Sequence, residues 1–139
     1  MDVKELICQL ANPESSIADI FINAASNDHS EIVKLLLEAK VNPNVQNEYG
    51  WTALMGASEN GRIEVVRLLL EAKVDPNIQS NFGWTALIWA SDNGHSEIVK
   101  LLLENEANPN IQSKSGFTAL NLTKNPEIKN LLIRAGAKT

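Results

Sequence analysis

The sequence has very little cysteine and histidine, no excess of positive charge and no long hydrophobic run. Cys8 is the only cysteine among 139 residues, so an internal disulfide or a cysteine metal site is excluded. The formal net charge of −5 argues against a protein that attracts nucleic acid or anionic lipid. No segment approaches the ~18 apolar residues that a membrane helix needs. The apolar patch Leu6-Ile7-Cys8 is too short for a secretory signal. We therefore expect an intracellular, cytoplasmic protein, with secretion as an effector as the alternative.

What the sequence does have is a 33-residue repeat. Gly50, Gly83 and Gly116 are each followed by an aromatic residue and then by Thr-Ala-Leu, at intervals of 33 (83 − 50 and 116 − 83). Residues 46–78 and 79–111 are identical at 19 of their 33 positions. A repeat of this length indicates one supersecondary unit that is stacked several times along the chain.

Each unit has the pattern of two helices. Thr52, Thr85 and Thr118 are candidate N-caps. They precede short first helices, predicted from Ala53 to Glu59 and from Ala86 to Asp92. Asn-Gly then supplies a turn, and a second helix is predicted from Glu64 to Ala72 and at the equivalent positions. The second helix is apolar on most sides, so it must be buried between neighbours. The pattern predicts an all-α stack of helix pairs.

The order Gly-Trp-Thr-Ala-Leu, Asn-Gly, Glu-Val-Val-Arg-Leu-Leu-Leu-Glu and Pro-Asn resembles the ankyrin repeat. The resemblance covers about residues 14–137. It implies an ankyrin-repeat solenoid of antiparallel helix pairs, from which hairpin-like loops project. We interpret the chain as a single domain with a cap helix in 1–11, complete at both ends. Its four repeats are predicted at about 12–44, 45–77, 78–110 and 111–139.

The chain departs from the family pattern at two places. It has Thr-Ala-Leu where the family usually has Thr-Pro-Leu-His. The glycine that usually follows the second helix is replaced by Lys40, Lys73 and Glu106, and only Gly136 keeps it. A side chain in a left-handed conformation costs on the order of 1 kcal/mol. Because the flanking pattern is unbroken, we still predict left-handed backbone at all of these positions. Just beyond them, Asn44, Asn77 and Asn110 are predicted to fix the turns between repeats.

No residue pattern points to catalysis. His29 and His95 occupy the same place in two repeats, and Arg62 takes it in a third, so we interpret the position as structural. A His-Glu-x-x-His motif, a glycine-rich phosphate loop and a nucleophile elbow are all missing from the sequence. Cys8 is better explained as a small core residue than as a reactive thiol. We expect a protein that is not an enzyme and that uses no cofactor and no metal.

The resemblance also implies where a partner binds, on the concave side formed by the loop tips and the first helices. Met55 and Ile88 replace the family's histidine and are the strongest contact candidates. For Trp51, Trp84 and Phe117, packing over the neighbouring loop is an equally open reading. We interpret Trp89 as a packing residue that fills the space left by Gly56. The candidate contact residues are Tyr49, Trp51, Met55, Glu59, Phe82, Trp84, Ile88, Asp92, Phe117 and Asn121.

These features predict a monomeric protein–protein interaction module, or adaptor, that binds neither nucleic acid nor membranes. The acidic residues in the middle of the concave side favour a partner with a basic, partly apolar segment. The alternative is a regulatory or inhibitory subunit, or an effector, that modulates the activity of its partner through the same surface.

Overall fold

The computed structural model describes residues 16–138, and in that range the chain forms eight helices and no strand. The predicted all-α class is therefore confirmed. The predicted cap helix in 1–11, with Cys8, lies outside the described residues. The helices are α1 (Ile17–Ser26), α2 (Ser30–Glu38), α3 (Ala53–Glu59), α4 (Ile63–Glu71), α5 (Ala86–Asp92), α6 (Ser96–Glu104), α7 (Ala119–Leu122) and α8 (Pro126–Arg134).

The first helices begin where the threonine caps predict. The Thr52 hydroxyl accepts a hydrogen bond from the backbone N–H of Met55 at 3.3 Å, and the same bond recurs in the next two repeats. Such a cap satisfies one of the free N–H groups of the first turn. The predicted bounds of α3 and α5 are confirmed, whereas α4 begins and ends one residue earlier than predicted.

The left-handed positions after the second helices are confirmed. The φ angles of Lys40, Lys73 and Glu106 are 64°, 63° and 71°, and that of Gly136 is 99°. Asp28 also has a positive φ, of 62°, at the turn where the next two repeats have Gly61 and Gly94. The repeat geometry imposes this conformation, because each residue adopts it at the same place in its unit although its side chain disfavours it.

The helices form two rows that enclose a continuous core. In one row α1 packs on α3, α3 on α5 and α5 on α7, and in the other α2, α4, α6 and α8 follow one another. The second helices contribute one fully buried leucine each, and burial of such side chains is the main stabilising term of the fold. These leucines are Leu36, Leu69, Leu102 and Leu132, all with no exposed surface.

Asparagine side chains join neighbouring repeats near the second helices. In each case the side-chain oxygen accepts a hydrogen bond from a backbone N–H of the following repeat. The predicted role of these residues is thereby confirmed. The acceptor and donor pairs are Asn44 with Asp75 (2.8 Å), Asn77 with Asn108 (2.7 Å) and Asn110 with Lys138 (2.9 Å).

The last repeat is shorter than the others. Helix α7 has only four residues, and α8 begins at Pro126 after the cap residue Asn125. The Asn125 side chain accepts hydrogen bonds from the backbone N–H groups of Glu127 at 2.9 Å and Ile128 at 3.3 Å. Proline at the first helical position is compatible with this start because its missing N–H would have had no partner within the helix.

Candidate protein-binding surface

The candidate surface is formed by the hairpins and by the open side of the first helices. We call it the groove face. It consists of the hairpins 45–51, 78–84 and 111–117 together with the solvent-accessible side chains of α1, α3, α5 and α7. The second helices do not contribute to it, because they lie in the other row.

Backbone hydrogen bonds hold each hairpin against the next one. The N–H of Asn81 donates to the carbonyl of Tyr49 at 2.9 Å, and the N–H of Lys114 donates to that of Phe82 at 3.0 Å. Gly50 has a φ of 77°, and a Cβ at this position would lie 2.8 Å from the backbone nitrogen of Asn81. The repeat glycine is therefore needed for both its conformation and the close approach of the neighbouring hairpin. The hairpins form a fixed surface on which side chains can be presented.

Aromatic side chains at the hairpins are open to solvent. Tyr49 is 61% exposed, Phe82 is 76% exposed and Phe117 is 44% exposed. Exposing the large apolar surface of an aromatic side chain to water is unfavourable, and on a rigid scaffold such a side chain often serves as an interface anchor. These three predicted contact residues are placed where a partner could reach them.

Three tryptophans meet at the centre of the groove face, and we call them the tryptophan cluster. The ring centroids of Trp51 and Trp89 are 5.0 Å apart, and those of Trp84 and Trp89 are 4.4 Å apart, with interplanar angles of 46° and 44°. All three residues are partly exposed. The cluster joins the hairpins of two repeats to a residue of α5.

The expectation that Met55 and Ile88 face the groove is wrong. Each is only 1% exposed. A first helix has a neighbour on either side and a second helix behind it, so only a narrow stripe of its surface stays open. Met55 and Ile88 lie in the first turn of their helices, where their N–H groups bond to the capping threonines. Their side chains point away from the open stripe and into the core.

The open stripe begins one residue further along each first helix. Its side chains are those at the register of Asn23, Gly56, Trp89 and Leu122, of which only Gly56 is buried. A shift by one residue turns a side chain by about 100° around a helix, which separates the closed positions from the open ones. Trp89, which we interpreted as a packing residue, is therefore a groove-face residue.

That Trp89 fills the space beside Gly56 stays a prediction. The three heavy atoms nearest to a Cβ added at Gly56 belong to Ser26 and Ile22 of α1. The ring of Trp89 packs against Trp51 and Trp84, so a packing role for this residue is supported. The sequence did contain a signal for the contact of Trp84 with Trp89. Trp84 precedes the N-cap Thr85 and Trp89 is the fourth residue of α5, a spacing at which two apolar side chains meet at a helix start.

Asn121 is exposed but is held by its own helix. Its side-chain oxygen accepts a hydrogen bond from the backbone N–H of Thr118 at 2.9 Å, while its backbone N–H donates to the Thr118 hydroxyl at 3.3 Å. This reciprocal arrangement is a capping box. The box explains why Asn121 follows Thr-Ala-Leu in the shortened repeat, and its contact with a partner stays a prediction.

Acidic side chains flank the tryptophan cluster. Glu59 and Asp92 occupy the same register on α3 and α5, one turn beyond Gly56 and Trp89. Asp92 is exposed, whereas Glu59 is half-buried. Burial raises the pKa of Glu59, because the charged carboxylate loses contact with water.

His95 and Arg62 have the structural position that their repeat register predicts. Nε2 of His95 lies 2.9 Å from the carbonyl oxygen of Glu59, and Nε of Arg62 donates to the carbonyl oxygen of Ser26 at 3.0 Å. Both side chains thus reach the C-terminal end of the first helix of the preceding repeat, where free carbonyls are available.

Within residues 16–138, no group of three or more His, Cys, Asp or Glu side chains is arranged to hold a metal ion. In the same part of the chain, every helix is too short or too polar to cross a membrane.

The comparisons with known proteins agree with this architecture. The family model described as ankyrin repeats (3 copies) matches residues 2–80 and 72–139, while a comparison with curated proteins finds no match. Ankyrin repeats are generally protein–protein interaction modules, and the family is typically not enzymatic. With the helix pairs, the projecting hairpins and the 33-residue register all in place, this chain belongs to the ankyrin repeat family.

Proposed function

We propose that this chain is a monomeric adaptor that binds a partner protein on its groove face. The observation that carries the proposal is the exposure of Tyr49, Phe82 and Phe117 on rigid hairpins beside the partly exposed tryptophan cluster. Six of the seven aromatic residues of the chain lie in this region, and Phe21 alone lies elsewhere, in the core. Such clustering is typical of the anchor residues of an interface.

The scaffold supports binding without a large rearrangement. The hairpins are tied to one another by backbone hydrogen bonds, and Gln46 adds side-chain bonds to the carbonyls of Gly50 at 2.8 Å and Gln79 at 3.3 Å. A surface that is already ordered loses little conformational entropy on association. The partner then supplies most of any adjustment.

The test is affinity purification from a cell extract with three forms of the immobilised chain. These are the wild type, Phe82→Ser on the groove face and Ile63→Ser at the opposite end of a helix pair. Ile63 is a matched control because it is also a large apolar side chain, and it is 40% exposed. We expect a partner that is retained by the wild type and by Ile63→Ser and lost from Phe82→Ser. Partners that depend on Ile63 and tolerate Phe82→Ser would contradict the proposal.

A further inference from the structure

The tryptophan cluster offers more than an apolar contact. Its rings pack on one another, and Trp51, Trp84 and Trp89 each keep part of their surface exposed to solvent. The indole N–H of Trp89 is buried without an acceptor among residues 16–138. The faces of tryptophan rings carry negative electrostatic potential, which attracts cations within about 6 Å of the ring centre.

Carboxylates outnumber basic side chains around the cluster. The hairpins and first helices of the two middle repeats, residues 45–61 and 78–94, contain Glu48, Glu59 and Asp92 and have no lysine or arginine. Helix α1 adds Asp19 on the same row. Arg62 follows directly after α3, where its Nε donates to the Ser26 carbonyl, and the hairpin of the last repeat contains Lys114. The centre of the groove face is therefore acidic as well as aromatic.

These carboxylates are not neutralised by the described part of the chain. The salt bridge found in residues 16–138 joins Arg67 to Glu97 at 3.5 Å, between α4 and α6 in the other row. Glu59 is partly removed from water and has no cationic partner within the same residues. A carboxylate in this position gains from a cation that a partner brings.

We propose that the tryptophan cluster receives a lysine or arginine side chain from the docking segment of the partner, with Glu59 and Asp92 balancing its charge. The inference rests on the proposed function and specifies its chemistry. The cation stacks on the exposed ring faces while its aliphatic stem covers apolar surface, as long basic side chains do. A basic, partly apolar segment thus fits the middle repeats.

The probe is a displayed library of random 12-residue peptides, selected on the wild-type chain. Peptides are retained for study when Phe82→Ser weakens their binding and Ile63→Ser leaves it unchanged. We expect each retained family to share a lysine or arginine. If no peptide meets the criterion, the proposed function and this inference both fail. If peptides meet it but lack a shared basic residue, only the inference fails.

A double-mutant cycle then tests contact with the cluster. In a retained peptide the shared basic position is made arginine and is then replaced by citrulline, which keeps the shape and removes the charge. We expect this change to weaken binding to the wild type by about tenfold, within the range for a desolvated cation–π contact. On Trp89→Leu and on the pair Glu59→Gln with Asp92→Asn, we expect a loss of less than about threefold, because the contact is already gone.

The controls separate charge from shape. Leucine suits position 89 because Leu122 occupies the same register in the next repeat. It also removes an indole N–H that has no acceptor among the described residues, so folding should tolerate it. An equal loss with citrulline on the wild type and on Trp89→Leu would overturn the inference, and so would no loss on the wild type.

Discussion

The buried side of the second helices has a position with the same residue type in every repeat, whereas the open side of the first helices has a position with a different residue type in each repeat. At one register of the second helices the residues are Leu36, Leu69, Leu102 and Leu132, all fully buried. At the open register of the first helices they are Asn23, Gly56, Trp89 and Leu122, four different side chains on the same backbone. The uniform positions hold the repeats together, and the varied positions are free to specify a partner. The predictions below test this difference.

The largest loss of stability should come from truncating a buried leucine of the second helices. Leu69→Ala removes a fully buried side chain at the centre of the stack. We expect it to lower the free energy of unfolding by about 2–5 kcal/mol, through lost burial and the cavity left behind. Denaturant titration measures the change, with the partly buried neighbour Leu68→Ala as a control that should cost less. A loss for Leu69→Ala no greater than that for Leu68→Ala would contradict the assignment of the core.

The next effect concerns the bonds between repeats. The Asn77 side chain accepts from the N–H of Asn108 at 2.7 Å and donates to the carbonyl of Glu106 at 3.3 Å. Asn77→Ala should lower the free energy of unfolding by about 1–1.5 kcal/mol. The control is Asn105→Ala, whose side chain bonds only within its own helix, to Leu101. If both variants lose the same stability, the bridging bond has no special role.

Two lysines should respond to glycine with opposite signs. Lys73 has a φ of 63°, so Lys73→Gly relieves a disfavoured conformation and should raise the free energy of unfolding by about 0.5–1 kcal/mol. Lys100 lies within α6, and Lys100→Gly should lower it by about 1 kcal/mol. Thermal and denaturant unfolding measure both. Destabilisation by both substitutions would show that the left-handed position carries no strain.

The smallest change in stability should come from Glu59 on the groove face, and it should depend on pH. Burial raises the pKa of Glu59 above its ordinary value of 4.5. Between the pKa of the unfolded chain and that of the folded chain, the folded chain therefore holds a proton that the unfolded chain has released. The buried charge destabilises the folded chain. This destabilisation is absent at a pH below the pKa of Glu59 in the unfolded chain, and it is complete at a pH above its pKa in the folded chain. Glu59→Gln should therefore gain stability relative to the wild type as the pH rises from about 3.5 to 7. Glu64→Gln, on the exposed face of α4, is the control. If the difference in free energy of unfolding between Glu59→Gln and the wild type does not change with pH, burial of the Glu59 carboxylate is refuted as the cause.

The sequence predicted the parts of the fold that recur. A threonine cap, an Asn-Gly turn and a leucine triplet act locally and in the same way in each unit, so the 33-residue register was enough to predict them. At Lys73 the repeat geometry determines the backbone conformation, since this residue is left-handed although its side chain disfavours that conformation. In the last repeat α8 begins at Pro126, so few residues are left for α7, which has four.

The groove face was less predictable because it depends on which side of a short helix stays open. Met55 and Gly56 are adjacent in sequence, and the choice between them rests on the packing of three neighbouring helices. Within the tryptophan cluster, the contact of Trp89 with Trp51 joins one repeat to the previous one. A pattern read within single repeats does not reveal a contact of that kind.

The most direct test of the account is the response of the tryptophan indoles to a bound partner. Their Nε1–H signals can be assigned by nuclear magnetic resonance with Trp51→Phe, Trp84→Phe and Trp89→Phe, and followed as the partner from the affinity purification is added. We predict that the indole signals shift strongly while the backbone signals on the exposed sides of α4 and α6 stay in place. Unchanged indoles with shifts confined to α4 and α6 would contradict binding at the groove face.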